Sequence, residues 1–313
     1  MPEQSANNFA GIEVAMRTMR GVLISADGET IDRHEAKYEP DGLIKSITDL
    51  AGELRKSGEI RAVGLAIPGL VNRETDRVLA STGLPFTARE HIHSELMEAT
   101  GLRFELENDA NAAAYGEYKA GAGRGARDIF YIGIGDAIGG AIILDGKLWT
   151  GASGCAGEIG HITIDTEGAE CVCGNTGCLE TIASGPNIVR RARERLNRDS
   201  TSSLSRLAMQ KRFTAGDLAR EANNGDDFSV MMLERTGRSI GIAVASMINL
   251  LSIERIILGG AIMEAGDLIV KPIIAEARKR SFQQCFEATK IVAAQLGADG
   301  VAIGGALLAR DAQ

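Results

Sequence analysis

The start of the chain alternates in a way that predicts a hairpin. Gly11 to Met16 and Met19 to Ser25 are apolar and strand-like. Ala26-Asp27-Gly28-Glu29 reads as a turn, and Thr30 to Lys37 alternates as a returning strand. Apolar residues at helical spacing predict a helix over Leu43 to Lys56. Arg61 to Pro68, with its core Ala-Val-Gly-Leu-Ala-Ile, predicts a buried strand. A helix near Ala88 to Ala99, a strand over Arg103 to Glu107 and an alanine-rich helix over Ala110 to Ala120 follow. Antiparallel strands first, then alternating helix and strand, predict a mixed sheet with helices on its faces.

Gly121-Ala-Gly-Arg-Gly-Ala126 reads as a hinge or linker, and after it the pattern begins again. Strands are expected over Asp128 to Ile134, Gly139 to Leu144 and Lys147 to Thr150. Several helices are expected between about Pro186 and Ile248, then a strand over Arg255 to Leu258 and a helix near Asp267 to Lys279. A strand over Lys290 to Ala294 and a last helix over Val301 to Leu308 close the series. Two copies of hairpin-then-α/β predict two similar lobes with a cleft between them, an arrangement suited to an enzyme that closes on its substrate. The expected division is residues 1–120 for the first lobe and 121–299 for the second, with 300–313 packing back on the first. Met16, Met19, Met97 and Met263 read as core filler, and His34 stands without an evident partner.

Cysteine changes the picture most. Five occur in 313 residues, and three of them fall in Cys171-x-Cys173-x4-Cys178, ten residues after His161. Thiolate and imidazole are the donors tetrahedral zinc prefers, and four close a structural site. Gly174 and Gly177 let the loop fold back so that Cys178 meets the other two. The alternative is three buried free thiols beside an unrelated histidine; only Cys155 and Cys285 remain elsewhere, and that scarcity favours the metal. A disulfide framework is not expected, because the polar start from Met1 to Asn8 has no secretory pattern and a reduced cytoplasm suits so few cysteines. The formal net charge of −8, with no long basic stretch, argues against nucleic acid as a partner. No apolar run reaches the roughly 18–20 residues a bilayer requires.

Several motifs resemble one family. Glu158-Ile-Gly-His161 followed by Cys171-x-Cys173-Gly-x-x-Gly177-Cys178-x-Glu180 resembles the signature of the ROK family (repressors, open reading frames, kinases). Asn108-Asp109-Ala-Asn111, Gly64-Leu-Ala-Ile-Pro68-Gly69 and the adenosine-side motif Leu258-Gly259-Gly260-Ala261 are similar to that family's in the same order. The resemblance implies a two-lobed actin-like, ribonuclease H-like α/β fold with a zinc loop, and a homodimer or homotetramer. It also implies one of two activities: a transferase that phosphorylates a hexose or N-acetylhexosamine with Mg-ATP, or a sugar-responsive repressor. The family's repressors carry an added N-terminal helix-turn-helix domain, for which the ten or so residues before the first strand leave no room.

On the sugar side the resemblance assigns Asp109 as the base on the sugar 6-hydroxyl, with Gly69 and Asn108 beside it. It assigns Glu158, His161 and Glu180 to hydroxyls at the sugar's far end, His161 serving zinc as well. Independently, Asp109 sits where a strand ends and a helix begins, so the helix dipole favours its ionised form by about 0.3–1 kcal/mol. It could equally be only an N-cap, as Glu158 and Glu180 taken singly could be solvated surface carboxylates. His91 and His93, two apart, are a weak metal pair.

On the nucleotide side the chain departs from the family. Where its kinases read Asp-x-Gly-Gly-Thr-Lys, this chain has Glu13-Val14-Ala15-Met16-Arg17-Thr18. Where they read Gly-Thr-Gly-x-Gly-Gly-Gly, it has Gly135-Asp136-Ala137-Ile138-Gly139-Gly140-Ala141. Where they read Asn-Leu-Pro, it has Gly83-Leu84-Pro85. Asp136 replaces a hydroxyl donor, and two unit charges about 4 Å apart repel by roughly 4 kcal/mol at an effective dielectric of 20. Three readings stay open. In the leading one the chain is a kinase in which Arg17 supplies a cation, Asp136 holds magnesium, and Gly139, Gly259 and Gly260 line the nucleotide. In the second it binds sugar but has lost ATP use. In the third it is a partner subunit that binds no small molecule.

Overall fold

β1 (Asn8–Val14) pairs antiparallel with β2 (Thr18–Ile24), and β2 with β3 (Thr30–Lys37), so the predicted hairpin forms. The structure is a computed structural model describing residues 7–73, 75, 77–81, 91–196, 201–210 and 212–313. In α1 (Leu43–Arg55), Leu43, Ile47, Leu50, Ala51 and Leu54 are buried, the one-faced stripe expected of a helix on a sheet. β4 (Ile60–Ile67) lies parallel to β1. A short hairpin of β5 (Leu70–Asn72) and β6 (Arg77–Ala80) follows, which the sequence pattern did not predict. α2 (Ile92–Thr100) leads to β7 (Arg103–Asn108), parallel to β4, and to α3 (Asp109–Ala120). The strand order is β3-β2-β1-β4-β7.

The second series has β8 (Ile129–Ile134), β9 (Ile138–Leu144) and β10 (Lys147–Leu148), then α4 (Glu180–Ala183), α5 (Gly185–Leu196), α6 (Ser203–Gln210), α7 (Ala215–Asn223) and α8 (Asp227–Leu251). It continues through β11 (Arg255–Gly259), α9 (Asp267–Arg280), α10 (Gln283–Ala288), β12 (Lys290–Ala293) and α11 (Gly300–Asp311). The strand order β10-β9-β8-β11-β12 repeats the first sheet's connectivity, with β8, β11 and β12 parallel. The expected duplication is therefore present strand for strand.

The chain forms two compact units. One comprises residues 1–127, 141–157 and 294–313, and the other 128–140 and 158–293. The chain first passes to the second unit after Arg127, comes back for residues 141–157, and returns for the last time at 294. In the first unit α11 packs on β1, β4 and α3 through a seam of small residues. A Cβ on Gly64 would stand 1.9 Å from Gly305 O, so only glycine permits this approach of helix to sheet.

The Gly121–Ala126 stretch is not the loose linker its composition suggested. Gly121, Ala122, Gly123 and Ala126 are buried, and the stretch is a hydrogen-bonded turn. Its anchor is Glu117, 2% exposed. Glu117 Oε2 accepts from Ala122 N at 2.7 Å, and Oε1 accepts from Gln295 N at 2.9 Å and Leu296 N at 2.8 Å. One buried carboxylate thus holds the chain where it leaves the first unit and where it returns. Glu117→Ala leaves three amides without their acceptor and is expected to cost about 3 kcal/mol or more. Urea unfolding followed by circular dichroism checks this; a loss under 1 kcal/mol would show that water replaces the carboxylate.

Two smaller expectations are corrected. Met19 is core, but Met16 and Met97 are 54% and 43% exposed. Met16 tips the β1–β2 turn, and Met97 lies off the buried stripe of α2, which is Ile92 and Leu96. His34 does have a partner, its Nε2 lying 3.0 Å from Asp32 Oδ2.

Candidate functional site

In the first unit the candidate residues gather where β7 ends and α3 begins. Asn108 is the N-cap of α3, its side-chain oxygen accepting from Asn111 N at 3.0 Å. The cap role proposed for Asp109 is therefore filled by its neighbour, and Asp109 stands in the first turn with Oδ1 accepting from Ala110 N at 2.8 Å. Asn108 Nδ2 donates to Gly69 O at 2.8 Å, which fixes the amide and ties in the Gly69 turn. With two protons on its nitrogen and two lone pairs on its oxygen, Asn108 keeps capacity for one further bond of each kind.

Beneath this turn is a group that sequence reasoning missed. Glu107 is 3% exposed. Its Oε1 accepts from Asn108 N and from Asn111 Nδ2, both at 2.9 Å. Its Oε2 is 3.3 Å from Arg73 Nη1, an ion pair without hydrogen-bond alignment. The Glu107/Asn111 pair, four residues apart across a strand–helix junction, was readable in the sequence; Arg73, on a hairpin that was not predicted, was not.

In the same unit Glu13 is the penultimate residue of β1, just before the Ala15–Arg17 turn. Ala15 N donates to Thr18 O at 2.9 Å and the Tyr38 hydroxyl donates to Ala15 O at 2.6 Å, so the Ala15–Arg17 turn is closed, with Met16 and Arg17 exposed at its tip. Glu13 Oε2 is 3.3 Å from Arg20 Nη1, and Arg20 also reaches Asp299 at 3.5 Å and the Ala298 carbonyl. Burial pushes the Glu13 carboxyl up to about 7; Arg20 opposes this, while Asp109 and Asp299 add to it. The folded state thus favours protonated Glu13. That stability is fully present below the ordinary 4.5 and is lost as pH rises through about 7. Glu13→Gln should therefore stabilise the protein by about 1–3 kcal/mol more at pH 8 than at pH 5. Urea titrations at both values test this, and an equal effect at both would contradict it.

In the second unit the cysteine loop closes as its spacing predicted. Cys171 N donates to Asn175 O and Gly174 N to Cys171 O, while Ile164 N and Asp165 N donate to Gly177 O. Gly177 has φ +69°, and a Cβ there would stand 1.5 Å from Asp165 O, so the return needs glycine. His161 Nδ1 lies 3.6 Å from Cys171 Sγ, and Cys173 Sγ 3.7 Å from Cys178 Sγ; all four donor atoms lie within 4.8 Å of one another. Ligands at zinc distances on a regular tetrahedron stand about 3.6 Å apart for nitrogen to sulfur and about 3.8 Å for sulfur to sulfur. The donor set therefore fits zinc in both type and spacing.

The other edge of His161 faces the carboxylate of Glu158. Its Nε2 is 4.0 Å from Glu158 Oε2. Burial, opposed by His161 and aided by Glu180, raises the Glu158 pKa. Glu180 opens α4 two residues beyond Cys178, and its Oε2 accepts from Ile138 N at 2.9 Å. One carboxylate therefore joins the helix after the metal loop to the second phosphate turn. The structure brings Glu158, His161 and Glu180 together in one unit and Gly69, Asn108 and Asp109 together in the other.

Beside that phosphate turn is a cleft of about 390 Å³, lined by Gly135, Asp136, Pro186, Phe213, Ile262 and Glu264 among others. Gly185 N donates to Gly135 O at 2.8 Å, so α5 begins at the turn. Asp136 is exposed, with Oδ1 3.9 Å from where a Cβ on Gly185 would stand. Its carboxylate occupies the positive end of α5, the place where an anionic ligand is favoured. Gly139 lies in β9, Gly259 ends β11, and Gly260 follows it beside Ile134. Thr82 to Phe86, which replaces the family's Asn-Leu-Pro loop, lies outside the described residues.

Comparison with known proteins bears on both units. The ROK family pattern matches residues 9–312. A glucokinase of Halalkalibacterium halodurans is 33% identical over 314 residues, spanning 96% of this chain and 94% of that protein. The structure of a ROK family glucokinase from Streptomyces griseus in complex with glucose and AMPPNP aligns with a TM-score of 0.87 at 28% identity, over 97% of this chain and 99% of that one. A ROK family transcriptional regulator, a homolog of E. coli MLC, aligns with a TM-score of 0.88 at 27% identity, over 97% of this chain and 78% of that one.

Proposed function

The chain belongs to the ROK family, and from that premise we propose that it is a cytoplasmic sugar kinase, transferring a phosphoryl group from ATP to the 6-hydroxyl of a hexose or N-acetylhexosamine. The observation that carries this reading is the cleft of about 390 Å³ beside Gly135 and Asp136, of the size that holds a small ligand. Its lining is largely apolar, as the flat face of a purine requires. Asp109 takes the proton of the attacking hydroxyl, and Asn108, fixed by Gly69 O and Asn111 N, orients it. Glu158, His161 and Glu180 select hydroxyls at the sugar's far end. His161, Cys171, Cys173 and Cys178 would hold a structural zinc, which would set the face that His161 presents. Asp136, on the cleft lining, would hold magnesium, which would supply neutralising charge for the transferring phosphoryl group. Assembly as a homodimer or homotetramer accompanies this reading.

A second reading, sugar binding without ATP use, is favoured by a specific observation. Glu13, at the position of the Asp in the family's Asp-x-Gly-Gly-Thr-Lys, is paired with Arg20 and pushed up by burial to about 7, and the turn after it is closed by Ala15 and Thr18. Both features weaken a site for Mg-ATP. Thermal unfolding with glucose, N-acetylglucosamine, N-acetylmannosamine and fructose, each with and without Mg-ATP, separates the two, since a ligand at a hundred times its Kd adds about 2.7 kcal/mol. Stabilisation by a sugar and by Mg-ATP, with sugar phosphate formed, supports the kinase. Stabilisation by sugar alone supports the regulator, and none at all overturns both.

A further inference from the structure

The protein carries a formal charge of −8, yet α5 holds Arg190, Arg191, Arg193 and Arg195. Arg193 lies over the Phe213 ring. The other three turn toward α4 and α8. Arg190 donates to Thr181 O at 3.0 Å and to Glu194 Oε1 at 2.9 Å. Arg191 donates to Ile182 O at 2.8 Å and to Thr236 Oγ1 at 3.3 Å. Arg195 reaches Met232 Sδ at 3.7 Å. Met232 and Thr236 are successive turns on one face of α8, and the exposed Arg235 adjoins Thr236. The guanidinium groups of Arg191 and Arg195 therefore lie along the α5–α8 seam, and Arg235 stands on α8 near enough for its charge to act on Arg191. Among the described residues none of the three has an ion pair with a carboxylate, and Glu194 is already held by Arg190. Burial first, and then the fields of Arg195, Arg190 and Arg235, lower the Arg191 pKa to about 10. A fold under no other demand would not collect like charges on one half-buried seam.

We propose that this seam binds a small, multiply charged phosphate anion, at a site built from Arg191, Arg195 and Arg235 and separate from the sugar and nucleotide residues. Guanidinium forks match phosphate oxygens two by two, and three of them suit a ligand carrying more than one negative charge. A lone carboxylate would leave most of the positive charge uncompensated. Arg190 and Arg191 also hold carbonyls of α4, the helix that Glu180 opens. An anion on the seam would compete for those side chains and so act on α4 from behind.

The test is isothermal titration of the zinc-loaded protein, without magnesium and at low salt, with inorganic pyrophosphate and separately with a hexose bisphosphate. These probes distinguish an inorganic ligand from a phosphate ester. Wild type should bind one probe or both, and the Arg195→Ala/Arg235→Ala double variant should bind at least about tenfold more weakly. Arg238→Ala, the same charge change on α8 at a residue paired with Glu234, should bind as wild type does. Circular dichroism confirms that the double variant is folded; both arginines lie at the surface, so the fold should survive. Unchanged affinity in the double variant, or no binding by wild type, overturns the proposal. So does a change in oligomeric state without a change in anion affinity, which would assign the arginines to contact between copies.

Discussion

Asp109→Asn is expected to lower kcat by about 10²–10⁴-fold, while the Kd for sugar changes by only a few fold. The asymmetry follows from geometry. Asn keeps the size of Asp and can still accept from Ala110 N, as Asp109 Oδ1 does, and the α3 cap is supplied by Asn108. Neither the helix nor the turn should be disturbed. On the proposed kinase reading, what is lost is the acceptor for the hydroxyl proton at the moment the sugar oxygen attacks. Because the helix cap does not depend on this side chain, loss of the cap cannot account for a lower kcat, so the variant tests the acceptor role apart from capping. Turnover assayed with saturating Mg-ATP, alongside sugar binding by titration, decides the matter. Undiminished kcat would remove Asp109 from the chemistry, and a collapse of sugar affinity with kcat intact would make it a binding residue.

Removal of the proposed zinc is the second large effect. The free energy of a structural zinc site is folding free energy, about 10–16 kcal/mol for small metal-organised peptides, so even a fraction of it exceeds most single contacts. Chelation under reducing conditions should release one zinc per chain, expose the 161–178 backbone to hydrogen exchange and abolish sugar binding. Cys178→Ser should do the same irreversibly, since Cys178 is fully buried and its thiol stands 3.7 Å from Cys173. The loss of sugar binding would follow from position: His161 Nδ1 stands beside Cys171 Sγ and its Nε2 faces Glu158, and Glu180 is two residues beyond Cys178. Added zinc should restore the chelated wild type. A protein that carries no metal and is indifferent to chelation would return the three thiols to ordinary core cysteines.

Local chemistry was legible in the sequence and distant pairing was not. The β3 alternation from Thr30 to Lys37 was read to the residue, because nothing beyond its own pattern decides it. The cysteine loop was legible because its ligands lie close in sequence and its glycines mark the turns. The β5–β6 hairpin escaped because its strands are three and four residues long, too short to show a period. Met16 was misread because apolar character says nothing about whether a turn tip faces water. Arg20 with Asp299, Glu107 with Arg73, and Glu117 with residues 295 and 296 join positions far apart in sequence, and Glu13 meets Arg20 only across the β1–β2 pairing. Their carboxylates look like any others until the fold brings the partner. The two altered phosphate turns were visible as substitutions, but that Asp136 sits at the start of α5 and that Arg20 holds Glu13 were not.

The placement of α11 also fixes an order of assembly at the ribosome. The helix that covers β1 and β4 is made of residues 300–311 and returns to a unit otherwise drawn from residues before 158. At translation rates of about 5–20 residues per second, the first sheet waits on the order of ten seconds or more with its α11-facing side, Phe9, Val22, Ile24 and Ala62, uncovered. The second unit is complete before the first can be. Nascent chains that expose residues up to 293 but not α11 should therefore be the ones that chaperones hold, whereas residues 128–140 and 158–293 should already be compact on them.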